Sequence, residues 1–182
     1  NLTGRTIAAF FALDRLDIML DVVINPASPN AAVVREQTQD HTNITLHETL
    51  PSLAPLMLKA DLAIGAGGAT SWERCCLGLP SLAITLAENQ KPIAAELDKQ
   101  HLVHWLGHHD TVSELSLKIA LQDELNAEGM ADWSNRCRNM VDAKGTERVA
   151  SIVSLNSNTQ LKTRLAYVDD EDLLLKWAND PL

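Results

Sequence analysis

The sequence predicts an α/β fold, a Rossmann-like parallel sheet with helices on both faces. Three observations predict it. Short apolar runs alternate with helical patterns at the spacing of βαβ units. Hydrophobic residues make up 46% of the 182 residues, which is ample for a buried core, and charged residues at 21% are ordinary for a globular chain. The segment Gly65–Glu73 places glycines between an apolar run and an amphipathic stretch, the pattern of a tight strand-to-helix turn.

Taken in order, Ile7, Phe10, Phe11 and Leu16 fall at helical spacing and predict a helix over Thr3–Leu16. Ile18–Ile24 is a short apolar run closed by Asn25-Pro26 and predicts a buried strand. Ser28-Pro29 supplies a hydroxyl cap followed by proline, so a helix starts there and runs to about Thr38. The cycle repeats with a strand at Ile44–Leu46, a helix at Pro51–Ala60, a strand at Leu62–Ile64 and a helix at Thr70–Leu77 closed by Gly78 and Pro80. A strand at Leu82–Thr85, a helix near Pro92–Gln100 and a strand at Val103–Leu106 follow. Thr111-Val-Ser-Glu114 has capping-box spacing for a helix ending near Leu125, and two more helices cover Met130–Val141 and Thr146–Leu155. Residues 1–155 thus read as one domain. Asn156–Gln160 is a polar linker, and 161–182 begins a different unit with a strand and an acid-capped helix.

Composition excludes several function classes. Only 4% of residues are aromatic and the net charge is −9, so neither base-stacking platforms nor a basic phosphate-backbone surface is expected, and nucleic acid is not a predicted partner. No apolar stretch reaches the roughly 18 residues of a membrane span. Cys75, Cys76 and Cys137 form no ligand pair and read as reduced core cysteines of a cytoplasmic protein. The start lacks Met and a signal pattern, so the chain reads as the middle of a longer protein.

In a parallel sheet ligands bind beyond the carboxyl ends of the strands, which directs attention to the loops after Ile24, Leu46, Ile64 and Thr85. Ala60–Glu73 is the informative one. Its glycines let a ligand approach the backbone, and the free N–H groups at the start of the following helix attract an anion. Thr70 and Ser71 add hydroxyls, and Glu73 lies one turn in, where a carboxylate accepts from ribose hydroxyls. A dinucleotide fingerprint competes: Gly65-x-Gly67 begins one and Glu88 could serve as its ribose acid, but Thr70 stands at the third glycine position. A turn that is structural only, in a non-catalytic scaffold, is the remaining alternative.

The run Gly65-Ala-Gly-Gly-Ala-Thr-Ser-Trp-Glu-Arg-Cys-Cys-Leu-Gly-Leu-Pro80, with Ala87-Glu-Asn-Gln90, resembles the UDP-2,4-diacetamido-2,4,6-trideoxy-β-L-altropyranose hydrolases of pseudaminic acid biosynthesis, also called spore coat polysaccharide biosynthesis proteins. These are similar in turn to the glycosyltransferases that make lipid II, which share the two-Rossmann-domain GT-B architecture. The resemblance covers about residues 1–155 and implies the C-terminal half of such an enzyme. It implies that Gly67 and Gly68 approach the diphosphate of a UDP-sugar, that Thr70 and Ser71 bond it, and that Glu73 binds the ribose. Asn89 and Gln90 would face the sugar or the diphosphate. The implied reaction is attack of water on the anomeric carbon, with UDP and a free sugar released and no cofactor. Its catalytic histidine lies in a Gly-x-Gly-His segment of an N-terminal domain; this chain has no such segment, so no catalytic residue is expected here and the chain alone is expected to be inactive. Ala69 stands where many relatives have Ser or Thr. The donor half of a UDP-sugar glycosyltransferase would look the same. Residues 161–182, with Arg164-Leu-Ala and Leu173–Pro181, resemble the opening of a GNAT N-acetyltransferase, implying a fused and here incomplete domain.

His101, His104, His108 and His109 are dense, and His104 and His108 are four apart, a spacing that would suit zinc on a helix. Gly107 and the strand pattern argue against a helix, so the histidines read as exposed loop residues and no metal site is expected. Trp72 is read as packing at the loop or the domain junction, and Asp14, Asp17 and Asp21 as a solvated rim.

Overall fold

The computed structural model describes residues 1–154. They divide between a unit spanning Asn1–Ala143 and the beginning of a second, Lys144–Leu182. The linker at 156–160 and the acetyltransferase-like start at 161–182 lie outside the described residues.

The first unit alternates strand and helix as predicted. Helix α1 (Leu2–Phe11) is capped by the Asn1 side chain, which accepts from the Gly4 N–H, and buries Ile7, Ala9 and Phe10. It stops five residues short of Leu16, because Asp14 takes a left-handed conformation (φ 52°) and Leu16 is 84% exposed. Strand β1 (Leu20–Val23) pairs in parallel with β2 (Ile44–His47), in register from Leu20↔Ile44 to Val23↔His47. It is not buried on both faces: Val22 is in the core and Val23 is 44% exposed. Helix α2 (Ala31–Thr38) starts two residues beyond Pro29, because the Ser28 hydroxyl closes a local turn on Asn30 instead of capping the helix. Helix α3 is a single turn, Ala54–Met57, since the Ser52 hydroxyl accepts from the Ala54 N–H and delays helix entry.

The second ladder holds β3 (Ala63–Ala66), β4 (Ser81–Thr85) and β5 (His104–His108), all parallel. Between β3 and β4 lies helix α4 (Thr70–Leu77), ended by Gly78 in a left-handed conformation (φ 71°). The Leu79 N–H returns to the Arg74 carbonyl there, the closing bond of a helix C-terminal turn. After β4 come a 3₁₀ turn (Glu88–Gln90) and helix α5 (Lys91–Lys99). A bulge puts Leu106 outside the pairing, with Gly107 at φ 120° beyond it, and carries β5 on to His108. Helix α6 (Glu114–Asn126) has a capping box, but it joins Ser113 to Ser116 and not Thr111 to Glu114. Helix α7 (Met130–Met140) completes this unit, and α8 (Gly145–Ser154) belongs to the next.

Side chains alternate across a strand, so β4 serves two cores. Leu82 and Ile84 pack with Ala9 of α1 and with Leu117, Ala120 and Leu121 of α6. Ala83 packs with Cys75 of α4, Leu97 of α5, and Trp133 and Cys137 of α7. The sheet therefore has helices on both faces, as the sequence predicts. Its ladder bonds fall into two groups, β1–β2 and β3–β4–β5, where one continuous sheet is expected. Helix α1 spans the break: Ile7 belongs to the core over β1 and β2, and Ala9 to the core over β4. Among the described residues no helix is long and apolar enough to cross a membrane.

Ile7 is 1% exposed, so Ile7→Ala should destabilise the chain by about 2–5 kcal/mol, the range for emptying a buried aliphatic site. The midpoint of urea unfolding, followed by far-UV circular dichroism, checks this.

Candidate functional site

The carboxyl ends of β3, β4 and β5 share one edge because the three strands are parallel. The loop leaving β3 is fixed at its first step by the Gly67 N–H, which donates to the Ile84 carbonyl at 3.0 Å. Gly67 is glycine for a packing reason: a Cβ there would stand 3.1 Å from Thr85 Cγ2 and 3.5 Å from Ala94 Cβ. The chain then turns tightly into α4, with the Ser71 N–H donating to Gly68 O at 2.9 Å and the Trp72 N–H to Ala69 O at 3.0 Å. Among the described residues no acceptor takes the N–H of Gly68, Ala69 or Thr70. Successive free N–H groups at a helix start are the elements of an anion site.

Gln90, on the turn that leaves β4, reaches across to this loop. Its Oε1 accepts from the Leu86 N–H at 2.8 Å, and its Nε2 lies 3.3 Å from where a Gly68 Cβ would be. The structure thus gathers Gly67, Gly68 and Gln90, with Thr70 half-buried beside them. Asn89 is exposed on the same 3₁₀ turn. Ser71 is placed differently from the rest. It is fully buried, and its hydroxyl accepts from Arg74 Nη2 at 3.0 Å. Glu73 is exposed, three residues along α4 from Thr70. There it lines an open cleft of about 610 Å³ with Trp72, Ser52, Leu53, Met57 and Val141. That volume is in the range of small-ligand pockets, and its wall is mainly apolar.

Two features of the site are absent from the sequence reading. Arg74 is only 4% exposed, and Nη2 donates to the Ala66 carbonyl at 2.9 Å as well as to Ser71. Burial lowers the pKa of this guanidinium, a shift that the charges of Cys75 and Glu73 oppose. Gly65 is glycine because of it, since a Cβ at Gly65 would meet Nη1 at 2.6 Å. In the sequence Arg74 shares a helical face with Ser71, three residues before it, but that spacing does not say whether its side chain folds inward or reaches solvent.

The histidines are not all on loops. His104 and His108 lie on β5 and face different partners. His104 Nδ1 is 2.7 Å from Glu124 Oε1; His108 Nδ1 is 3.1 Å from the Thr85 hydroxyl, with Nε2 3.9 Å from Glu88. Four apart, they would share one face of a regular strand; the bulge at Leu106 shifts the alternation between them. Of the cysteines, Cys75 and Cys137 are core residues, and Cys76 is half-buried at the cleft.

Over 132 residues, 72% of this chain, it is 29% identical to the spore coat polysaccharide biosynthesis protein SpsG of Bacillus subtilis. The chain spans 39% of that relative's length. Among solved structures, MurG of Acinetobacter baumannii is similar with a TM-score of 0.67 at 17% identity, over 85% of this chain and 46% of that one. The glycotransferase of kitacinnamycin has a TM-score of 0.65 at 19% identity, over 85% and 38%. A protein described as a UDP-N-acetylglucosamine 2-epimerase of Listeria monocytogenes has a TM-score of 0.65 at 19% identity, over 92% and 44%. No protein-family model matches the chain. The fold is that of one Rossmann-like half of a GT-B enzyme.

At the edge of the site Lys91 Nζ lies 2.6 Å from Glu88 Oε1 and holds that carboxyl below the usual glutamate range, by hydrogen bond first and charge second. A depressed carboxylate pKa contributes stability that is present above the unfolded value and lost as pH falls through the folded one. Carbon-detected NMR titration should find the Glu88 midpoint low in the native chain and returned upward in Lys91→Ala.

Proposed function

We propose that this chain is the nucleotide-gripping half of a UDP-sugar enzyme, and that the full enzyme is a hydrolase releasing UDP and a free deoxy-diacetamido sugar for pseudaminic acid and surface polysaccharide synthesis. One observation carries the reading. A glycine turn with unpaired N–H groups opens α4 at the carboxyl edge of a parallel sheet, and Glu73 faces an apolar cleft one turn along the same helix. The anion end and the nucleoside end of a uridine diphosphate would then lie on two sides of one helical turn.

In this reading Gly67, Gly68 and Thr70 receive the diphosphate and Glu73 accepts from the ribose hydroxyls. Gln90, and Asn89 beside it, meet the distal phosphate or the sugar. Ser71 contributes through the shape of the turn, because its hydroxyl is engaged by Arg74. The chemistry is cleavage of the anomeric C–O bond: water adds to the anomeric carbon, the electron pair leaves on the β-phosphate oxygen, and a base removes the proton of the water. That base comes from a further domain, and this half holds and orients the leaving group. The likeness to SpsG, a polysaccharide biosynthesis protein, supports the pathway class. A second reading, glycosyl transfer from the same donor, draws on the two glycosyltransferase-type folds among the structural neighbours. The three free cysteines favour a cytoplasmic site of action. An acetyltransferase fused through 161–182 would act on a sugar of the same pathway.

Calorimetric titration with UDP, with ADP and NAD as controls, tests the grip. UDP binding is expected, and Glu73→Ala should weaken it roughly 10- to 100-fold, the worth of hydrogen bonds to a charged group. Binding of NAD in place of UDP would establish the dinucleotide alternative. A folded chain that binds no uridine nucleotide, alone or within the longer protein, would reduce the glycine turn to a structural element.

A further inference from the structure

We propose that Arg74 is the positioning residue of the anion turn: a buried guanidinium without a carboxylate partner that shapes the Gly65–Ser71 loop from beneath and supplies the charge that a bound diphosphate completes. The identity of the anion rests on the nucleotide reading above, while the role of Arg74 stands on its own geometry.

Burying a charge is costly unless a counter-charge meets it, and arginines in protein interiors are therefore nearly always paired. Arg74 is 4% exposed, yet no Asp or Glu forms an ion pair with it among the described residues. Its Nε is buried with no hydrogen-bond partner. Glu73, its neighbour in sequence, points to the cleft. The two acceptors Arg74 does have are neutral, and both belong to the turn: the carbonyl of Ala66, the last residue of β3, and the hydroxyl of Ser71. With the Ala66 carbonyl held inward and the Gly67 N–H on Ile84, the next three N–H groups are left without acceptors at the opening of α4.

The fold makes room for this arrangement at a second position. Gly65 lacks the Cβ that would stand 2.6 Å from Nη1, so Gly65 and Arg74 form a matched pair. A purely mechanical brace between β3 and α4 could be apolar, as in most βα units. A fixed positive charge inside the loop instead adds to the positive end of the α4 dipole, and the low dielectric of the interior leaves it weakly screened. In a chain of net charge −9, this is how an anion would be held by local design and not by the overall field.

The test compares three ligands, UDP, uridine and inorganic pyrophosphate, on the whole chain with Arg74→Gln, Arg74→Lys and Gly65→Ala. Expected for Arg74→Gln is a roughly 10- to 100-fold loss of UDP and pyrophosphate affinity with uridine affinity changed less than threefold. Arg74→Lys, which keeps the charge, should recover a large part of the loss. If Arg74→Gln does not fold, Gly65→Ala displaces Nη1 while keeping the arginine, and it should show the same selective loss of anion affinity. Equal loss of UDP and uridine, unchanged affinity in folded Arg74→Gln, or a wild-type chain that does not respond to pyrophosphate overturns the proposal. Wild-type binding of pyrophosphate without UDP would instead defeat the uridine reading and leave the role of Arg74 standing, provided that Arg74→Gln abolishes it.

Discussion

The burial of β4 is the constraint on which the rest of the structure depends. All five of its residues are buried, it is ladder-bonded to β3 on one edge and β5 on the other, and its alternate side chains enter opposite cores. A strand so placed tolerates no slip, because moving by one residue would send Leu82 and Ile84 into the space built for Ala83. Its two polar residues are satisfied at the ends: the Ser81 hydroxyl donates to Leu79 O, and the Thr85 hydroxyl contacts Gly107 O and His108 Nδ1. With β4 fixed, the neighbouring strands end at one level. The turn after β3 inherits its position directly, through the bond from Gly67 to Ile84 and the contact of Gly67 with Thr85 and Ala94.

From that anchor the turn is shaped by what lies behind it. Each of its three glycines has a close neighbour of its own: Gly65 has Arg74, Gly67 has Thr85 and Ala94, and Gly68 has Gln90. None of the three has the positive φ that requires glycine on backbone grounds; among the glycines, positive φ values belong to Gly78, Gly107 and Gly129. Their common cause is close approach by other elements, so the glycine pattern records the packing of α4, α5 and the 3₁₀ turn onto one strand edge.

Much of this was legible in the sequence, and the limits have physical causes. Periodicity finds elements whose burial is strong: α4 has the predicted bounds, β4 starts one residue early, and α6 starts two residues late and ends one residue on. It fails where a hydroxyl competes for the backbone, as Ser28 and Ser52 do at the starts of α2 and α3. It fails for α1 because Leu16 continues an apolar spacing after the chain has already turned at Asp14. His108 falls on β5 and not on a loop because the bulge at Leu106 extends the strand past a glycine that reads as a breaker. The glycines, Thr70 and Gln90 could be found as a group, since they flank strand ends. Arg74 could not, because nothing in the local pattern says that a charged side chain folds back under the turn instead of reaching solvent.

The first turn of α4 divides the site chemically. On one side are unpaired N–H groups, the buried guanidinium and the amide of Gln90, all suited to negative charge. On the other are Trp72, Leu53 and Met57 with the single carboxylate of Glu73, a surface suited to an uncharged ring carrying hydroxyls. An inorganic anion would use only the first side, and a nucleoside only the second. A ligand that engages both must join an anion to a hydroxyl-bearing ring across one helical turn, roughly the 5.4 Å pitch of an α-helix. The nucleoside diphosphates meet that requirement, and Glu73 would repel a ligand that placed phosphate at both ends. On the proposed nucleotide reading, the division of the turn would select orientation as well as class: diphosphate toward the sheet edge at Gly67 and Gln90, ring toward the cleft between α3 and α4.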